Sequence, residues 1–492
     1  LPQVKKLKVT PGTIDLPKKV TIGIGDHTLF AEAQRVRLLL GGKGVINAAV
    51  SGVDYDVTLE IDEVLPPEGY KLRVNASGIS ILGQSVAGVA HGIETLHQLL
   101  NQSPAGACCK VAIDDSPDIP DRGVYYDLAR CRVPTLDELK TMADNFAAAK
   151  LNQLQLYIEH TFAFRRHPVI GKGASPLSAE DIMELDAYCA ARHIELLPSL
   201  ASFGHMAPVL CNKEYHHLTN SGAENGYYSL TPGMPEAEQF IRELLEEFLP
   251  CFSSDRVNVC CDEVYDMGMN KSQAAGDKIG KGPLYLNHIL MLRDVAAEHG
   301  KKILIWGDII RTFPELIPEI PKDVTLLDWG YTGRLDYDRV KDFTDTGLPA
   351  YGCPSVNGYF TLFPRIHDSL HNIVGWAKAA KKHGAIGLLN TDWGDGGHYN
   401  FHQSAYVGYL AGADFGWNTK ADMDTYYARF CKHFLKIDSP EFVRALVRLG
   451  EIAHVDVRGY YMSILTHLLF FCGSSEDHGY LSPEDTVYTA TD

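Results

Sequence analysis

The chain has 492 residues, of which 45% are hydrophobic and 22% are charged, and its formal net charge is -17. This length predicts two or three domains with a substantial core. The acidic charge argues against nucleic acid and anionic membrane surfaces as partners, because both favour Lys and Arg. No apolar stretch approaches the ~20 residues that span a bilayer.

The N-terminus and the cysteines bear on where the protein works. The chain begins Leu1-Pro2 with no basic-then-apolar leader, and because it also lacks an initiator Met, a leader could have been removed. Its 11 cysteines are an odd number and are scattered, although Cys260 and Cys261 are adjacent. This pattern predicts reduced thiols and a cytoplasmic location. With no zinc-type spacing, P-loop or dinucleotide motif, we expect neither a metal nor an organic cofactor.

Residues 1–115 are predicted to form a small α+β domain. Short alternating runs at 55–61 and 70–74 indicate strands, and apolar residues at helical spacing indicate a helix over 85–100. The polar, proline-containing stretch 114–121 is typical of a linker.

Residues 116–420 change to a regular alternation of strands and helices. Amphipathic helical patterns at 136–150, 179–192, 236–248 and 284–300 separate the apolar runs. The strand candidates are 122–129, 153–159, 194–201, 257–263, 302–308, 325–330, 349–355 and 387–393. Eight such units predict an α/β fold of the (β/α)8 TIM-barrel type, whereas a doubly wound sheet uses fewer units.

Residues 421–492 are predicted to form a helical extension packed on the barrel. The run 460–471 is rich in apolar and aromatic residues. Packing on the barrel is one use for it, and a surface for a homodimer is another.

Charged and aromatic residues recur where the predicted barrel strands end. The strand C-termini of such a barrel meet at one rim, where the active site lies. Three of the five tryptophans fall at this rim, each near a carboxylate, and that combination suits a sugar: an aromatic face for C–H groups and acceptors for hydroxyls. The candidates at the strand ends and on strand one are Arg122, Glu159, His205, Asp262, Glu263, Trp306, Trp329, Trp393 and Asp395.

Each candidate also has a simpler interpretation. Asp262 and Glu263 could cap a helix or lie solvated in a loop. A Trp at a strand end could belong to the barrel core, Arg122 could pair with a loop carboxylate, and His205 could be a satisfied core histidine. Independent structural roles do not explain why all of them gather at one rim.

At these residues the chain resembles glycoside hydrolase family 20, the β-N-acetylhexosaminidases. The family's strand-four Gly-Gly-Asp-Glu stands here as Cys260-Cys261-Asp262-Glu263, with both acids kept and both glycines replaced. The further matches, in the same order along the chain, are Gly92-Ile93-Glu94-Thr95-Leu96, Arg122-Gly123-Val124, Asp127-Leu128-Ala129-Arg130, Gly204-His205, Ile305-Trp306 and Trp393-Gly394-Asp395. One segment departs: family members usually end strand two with a His-x-x-Asp-Asp type segment, where this chain has Tyr157-Ile158-Glu159-His160.

The resemblance implies an exo-acting, retaining glycosidase that removes terminal β-linked N-acetylglucosamine or N-acetylgalactosamine from an oligosaccharide or glycoconjugate. Adjacent acids do not easily straddle a sugar, so the substrate's acetamido oxygen would attack the anomeric carbon and form an oxazolinium intermediate. Glu263 would be the general acid and base, and Asp262 would orient the acetamido N–H.

The resemblance also implies roles for the remaining candidates. Tyr359, after strand seven, would donate to the acetamido carbonyl, and the three rim tryptophans would enclose the acetamido methyl and the sugar ring. Arg122 and Asp395 would hold the hydroxyls, and Glu159 would support His205. Two alternatives stay open: another acetamido-dependent glycosidase that takes larger units or a protein-linked sugar, and a sugar-binding relative without catalysis.

Overall fold

A computed structural model describes residues 1–223, 226–333 and 335–452. It contains one seven-stranded sheet and one closed eight-stranded barrel, followed by short helices. The predicted fold class, a (β/α)8 barrel after an α+β domain and before a helical segment, is therefore confirmed.

The N-terminal sheet is mixed and has the strand order β1-β7-β5-β6-β4-β2-β3. Val57, Leu59 and Leu72 alternate with more exposed residues and form a core separate from that of the barrel. The elements of this domain are β1 Lys6–Asp15, β2 Val20–Ile24, α1 Phe30–Leu39, β3 Gly44–Ala48, β4 Val57–Ile61, β5 Tyr70–Asn75, β6 Gly78–Gly83, α2 Val86–Leu100 and β7 Ala107–Asp115.

The barrel closes in the order β10-β11-β12-β13-β14-β15-β8-β9, with every neighbouring pair parallel. Helices cover its outside, so strands such as β9 are buried along their whole length. Its elements are β8 Asp121–Asp127, α3 Leu136–Ala148, β9 Gln153–Ile158, α4 Ala179–Ala190, β10 Glu195–Leu200, α5 Ala207–Leu210, α6 Pro235–Phe248, β11 Arg256–Asn258, α7 Gln273–Ile279, α8 Lys281–Glu298, β12 Lys302–Trp306, α9 Asp308–Arg311, β13 Thr325–Trp329, α10 Lys341–Thr344, β14 Ala350–Cys353, α11 Ile366–His383, β15 Gly387–Asp392 and α12 Tyr406–Trp417.

All eight predicted barrel strands are present, and the fourth is the one that differs most from its prediction. It was expected over 257–263, but β11 ends at Asn258. The residues after it leave the extended conformation, because Cys260, Cys261 and Glu263 have positive φ angles. This early ending matters for the site described below.

The helices after the barrel are α13 Tyr426–Phe430 and α14 Pro440–Ile452. The run 460–471, considered above as a dimer surface, lies outside the described residues. Among the described helices, none combines the length and the apolar character that a membrane span requires. The ten cysteines within the described ranges are all unpaired.

The expectation that Arg122 lies at the rim of the barrel is wrong. Arg122 is near the start of β8, so it lies at the opposite end of the barrel and is fully buried against the N-terminal domain. Its guanidinium donates to the carbonyls of Ile119 (2.9 Å) and Lys150 (3.0 Å) and to the carboxylate of Glu68. Arg122 and Lys150 both lie over the ring of Trp417, at 5.1 and 4.5 Å from its centroid. Arg122 thus joins the two domains.

The charge pair between Arg122 and Glu68 is sensitive to losing one partner. Burial disfavours the Glu68 carboxylate, but the Arg122 guanidinium and hydrogen bonds from His91 and Asn152 outweigh this and hold its pKa well below the usual range. Removing the Arg122 guanidinium would leave the Glu68 carboxylate largely desolvated and without the positive charge that does most to stabilise its ionised form.

Replacing Arg122 with Met is therefore expected to destabilise the protein by about 3 kcal/mol. Urea unfolding followed by circular dichroism measures the loss. The matched control is Arg73→Met, because Arg73 pairs with Asp114 at the surface and such a pair contributes at most about 1 kcal/mol. Equal losses in the two variants would contradict the interface role of Arg122.

Candidate active site

A cavity of about 760 Å³ opens at the C-terminal ends of the barrel strands. We call it the cleft. It brings together eight of the ten residues proposed from the sequence; Arg122 and Glu159 are the exceptions. The eight that line it are His205, Asp262, Glu263, Trp306, Trp329, Tyr359, Trp393 and Asp395.

The backbone after β11 explains how two adjacent acids both reach the cleft. Side chains of an extended strand alternate between faces, so consecutive residues would point in opposite directions. Here Cys260 (φ 60°), Cys261 (φ 68°) and Glu263 (φ 53°) adopt the left-handed conformation, which breaks the alternation. L-residues adopt this conformation at a cost of about 1–2 kcal/mol each. The glycines of the family motif would avoid that cost, and this chain uses cysteines instead.

Contacts with the surrounding barrel hold this left-handed turn. The Asn258 side chain accepts from the Cys260 amide (2.9 Å), and the Tyr285 hydroxyl donates to the Cys261 carbonyl (3.0 Å). The Cys260 thiol lies 3.5 Å from the Ser199 hydroxyl and is fully enclosed. Burial raises the pKa values of both thiols, so they stay neutral and act as small core side chains.

The acid pair shares one imidazole. His205 Nε2 lies 3.2 Å from Asp262 Oδ2 and 3.3 Å from Glu263 Oε2, and the Tyr228 hydroxyl is 3.0 Å from the same nitrogen. Burial alone would favour neutral imidazole, but Asp262 and the hydrogen bonds to both carboxylates outweigh it and raise the pKa of His205 to about 10. His205 is therefore a cation between two acids at neutral pH.

The close approach of His205 to the acids depends on the residue before it. A Cβ atom at Gly204 would lie 2.5 Å from the Asp262 carbonyl oxygen, so only glycine lets the two loops meet.

The side-chain atoms of His205, Asp262 and Glu263 that could ligate a metal ion also lie within 4.8 Å of one another. A metal ion bound there would have to displace the imidazole proton, and in this structure the imidazole nitrogen instead lies beside both carboxylates.

Glu263 is held from two further directions. Its side-chain Oε1 accepts from the exposed Tyr265 hydroxyl (3.1 Å), and its backbone amide donates to Asp308 Oδ2 (2.9 Å). Burial and the nearby charge of Asp262 raise the pKa of Asp308 to about 7. Neither Asp308 nor Tyr228 was proposed from the sequence. Asp308 follows β12, so its position at the rim was available as a signal, whereas Tyr228 lies on a long loop that folds back onto the cleft.

A second charge cluster forms around Arg130, which the sequence analysis quoted but did not propose as a site residue. Its guanidinium lies 3.0 Å from Asp127, 3.5 Å from Glu159 and 3.8 Å from Asp395. It also lies over the ring of Trp393, at 5.3 Å. Arg130 follows the C-terminal end of β8, where the rule about barrel rims directs attention, so the signal was available. Arg130 holds the position that Arg122 was expected to hold.

Glu159 takes a different partner from the predicted one. It was expected to support His205, but its carboxylate contacts Arg130 and accepts a hydrogen bond from Tyr157 (2.8 Å). Burial raises the pKa of Glu159. The carboxyl therefore serves the Arg130 cluster, and the partner of His205 outside the acid pair is Tyr228.

Aromatic side chains form the remaining wall of the cleft. The rings of Trp306 and Trp393 are 6.0 Å apart, and Trp329 stacks on Tyr331 at 5.1 Å. Trp393 Nε1 donates to the Tyr331 hydroxyl (2.7 Å), which fixes the indole. Tyr359 lines the same wall beneath the Arg365 guanidinium. Flat apolar faces beside carboxylates are what a pyranose ring requires.

The left-handed turn gives a test that does not depend on activity. Cys261→Gly removes the conformational cost and also the buried thiol, so these terms nearly cancel and stability changes by about 1 kcal/mol or less. Cys261→Val places a β-branched residue at positive φ and is expected to cost about 3 kcal/mol. Urea unfolding of the two variants compares them directly. Equal stability of the Val and Gly variants would contradict the left-handed turn.

Comparisons with known proteins agree with this geometry. The profile described as "Glycosyl hydrolase family 20, domain 2" matches residues 1–116, and "Glycosyl hydrolase family 20, catalytic domain" matches residues 120–382. Among solved structures, a β-N-acetylhexosaminidase from Bacteroides fragilis superposes with a TM-score of 0.72 at 20% identity, over 89% of this chain and 94% of that one. A second, from Streptomyces coelicolor, gives 0.71 at 18% identity over 89% and 97%.

Curated relatives match over shorter segments. A "Beta-hexosaminidase" of Akkermansia muciniphila is 29% identical over 40% of this chain and 46% of its own length. A "Beta-N-acetylhexosaminidase" of Cellulomonas fimi is 25% identical over 60% of each. The human "Hexosaminidase D" is 23% identical over 57% of this chain and 61% of its own length. The chain thus spans about half to three-fifths of these relatives. Because the family profile covers more than half of the chain, this protein belongs to glycoside hydrolase family 20.

Proposed function

We propose that the protein is an exo-acting β-N-acetylhexosaminidase that works by substrate-assisted catalysis. One observation carries this proposal: the adjacent carboxylates Asp262 and Glu263 both line an aromatic-walled cleft. Two acids that flank a sugar from opposite sides would support direct displacement by the enzyme. Two acids on one turn do not easily straddle a sugar, so we assign the role of nucleophile to the substrate's own acetamido oxygen.

In the proposed first step, the acetamido oxygen forms a bond to the anomeric carbon while the bond to the leaving oxygen breaks. Glu263 gives its proton to that oxygen, and Asp262 accepts a hydrogen bond from the acetamido N–H, which becomes more acidic as positive charge develops. In the second step, Glu263 takes a proton from the incoming water. Water attacks the anomeric carbon from the side that the leaving group vacated, and the bond to the acetamido oxygen breaks, so the acetamido group is regenerated and the configuration is retained.

The other residues of the cleft would bind and orient the substrate. Burial raises the pKa of Tyr359 to about 12, so its hydroxyl stays protonated and can donate to the acetamido carbonyl. Trp306, Trp329 and Trp393 would enclose the acetamido methyl and the ring. Asp395, fixed by Arg130, would bind hydroxyls at the non-reducing end.

A second candidate is an acetamido-dependent glycosidase that releases a larger unit. Comparing the products released from a tetrasaccharide distinguishes the two, because an exo-hexosaminidase releases single sugars.

Replacing Glu263 with Gln tests the proposed acid. We expect kcat/KM on an oligosaccharide with a sugar leaving group to fall by about 10²–10⁴, because a positioned acid contributes that much. The loss on a 4-nitrophenyl β-N-acetylglucosaminide should be smaller, since nitrophenolate leaves without protonation. Glu246→Gln, at an exposed pair with Arg166, is the matched control and should retain full activity. Equal losses on both substrates would contradict the acid role.

Dependence on the acetamido group is the second test. The wild-type protein should hydrolyse the 4-nitrophenyl β-N-acetylglucosaminide but not the matching β-glucoside, which lacks the nucleophile. Asp262→Asn should lower kcat by about 10²–10³, because it removes charge that stabilises the transition state. Steady-state kinetics on both glycosides measure this. Comparable hydrolysis of the β-glucoside would contradict substrate assistance, and no hydrolysis of any acetamido glycoside would overturn the proposed function.

A further inference from the structure

Asp308 is a carboxyl of the cleft that the mechanism above does not use. It opens α9 directly after β12 and lines the same cavity as the acid pair. Its Oδ2 accepts the backbone amide of Glu263 at 2.9 Å. Its Oδ1 is buried and has no hydrogen-bond partner among the described residues. A buried carboxylate oxygen without a donor is costly, so this group is not placed there by ordinary packing requirements.

The hydrogen bond from the Glu263 amide to Asp308 holds a residue whose left-handed backbone conformation costs free energy. Glu263 has a φ of 53°, and the left-handed turn before it already contains two residues in the same conformation. Asp308 reaches this amide from a neighbouring strand end, so it connects the position of Glu263 to β12. A carboxyl that anchors the amide restricts where the Glu263 side chain can point.

Two carboxylates are the neighbouring charges that act on Asp308. Asp262 and Glu263 interact with it most strongly, and burial together with these charges raises its pKa to about 7. The titratable and charged groups around it are Cys261, Asp262, Glu263 and Tyr265 on the turn after β11, Tyr285 on α8, His205 on the loop after β10, and Arg311 on α9 itself. Asp308 therefore gains its negative charge within the pH range in which enzymes work.

We propose that Asp308 is a positioning residue for the acid of this site, which anchors the Glu263 backbone with one oxygen and adds a titrating charge beside the acid pair. This inference rests on the proposed hydrolase function. Below neutral pH the neutral carboxyl acts through its hydrogen bond alone. As Asp308 ionises, a third negative charge in the cleft raises the electrostatic cost of ionising its neighbours, so the proton needed for leaving-group departure is retained to higher pH.

Two substitutions separate the anchor from the charge. Asp308→Asn keeps an oxygen for the Glu263 amide but cannot ionise. We expect kcat near pH 5 to stay within about threefold of wild type, while the alkaline limb of the kcat profile moves to lower pH by about one unit. Asp308→Ala removes the anchor as well, and we expect kcat to fall by about 10- to 100-fold with a smaller change in KM. Asp323→Asn, at a surface pair with Arg293, is the control and should match wild type.

A stability measurement without substrate tests the ionisation of Asp308 separately. An acid whose pKa is raised on folding holds its proton in the folded state after the unfolded chain has lost it. Wild type should therefore lose stability relative to Asp308→Asn as pH rises from about 4 to 7, and the difference should stay constant above that range. Thermal unfolding midpoints of the two proteins across this range show the change.

The outcomes are distinct. If wild type cleaves no acetamido glycoside, the proposed function fails, and the stability comparison still decides whether Asp308 titrates as inferred. If wild type is active, an unshifted alkaline limb in Asp308→Asn overturns the charge effect, and an unchanged kcat in Asp308→Ala overturns the anchor. Should Asp308→Ala fail to fold, the isosteric Asn variant carries the test through its pH profile and stability.

Discussion

The left-handed turn after β11 is the constraint on which the rest of the cleft depends. A continuing strand would place Asp262 and Glu263 on opposite faces of the barrel wall, one in the cleft and one among the outer helices. The turn brings both acids into the cleft. Its left-handed backbone has a cost in free energy that contacts within the turn do not offset. The compensating contacts come from outside the segment: Tyr285 on α8 holds one carbonyl, and Asp308 after β12 holds one amide. Because rigid elements supply these contacts, the closed barrel keeps the acids in place.

The barrel that carries this site could be predicted from the sequence, because its strands and helices follow from local patterns of apolar residues. Apolar runs of strand length and amphipathic helical stretches predict the barrel, and a barrel brings its strand ends to one rim. Trp306, Trp329 and Trp393 therefore could be assigned to one wall from their positions alone. Arg122 was misassigned because it begins its strand, whereas Arg130, eight residues later, follows the C-terminal end.

What the sequence could not predict depends on loops that return to the cleft. Tyr228 belongs to a long segment between β10 and α6, and nothing in its local pattern shows that its hydroxyl lies beside His205. Glu159 was assigned to His205 from the family resemblance, but its carboxylate lies 3.5 Å from the guanidinium of Arg130, which is a strong partner for a buried carboxylate. Tertiary distance decided both cases, and sequence spacing carries no information about it.

Two of the charge groups that line the cleft contain more carboxyls than cations, whereas a third, in which Arg311 and Arg339 both pair with Asp328, has the opposite balance. His205 contacts Asp262 and Glu263, beside which Asp308 lies, and Arg130 contacts three further carboxyls, so acids outnumber cations in each of these two groups. The imbalance has a cost, which is visible in the raised pKa values of Glu159, Asp308 and Asp395, since burial favours their neutral forms.

A neutral sugar gains little from this excess of acid when it first binds. The proposed reaction, however, places positive charge on the anomeric centre and the acetamido group as the leaving oxygen departs. Charge that interacts with the transition state but hardly with the ground state raises kcat rather than tightening substrate binding. The surplus of carboxyls in these two groups is therefore better explained by the charge that develops during the proposed reaction than by recognition of the substrate.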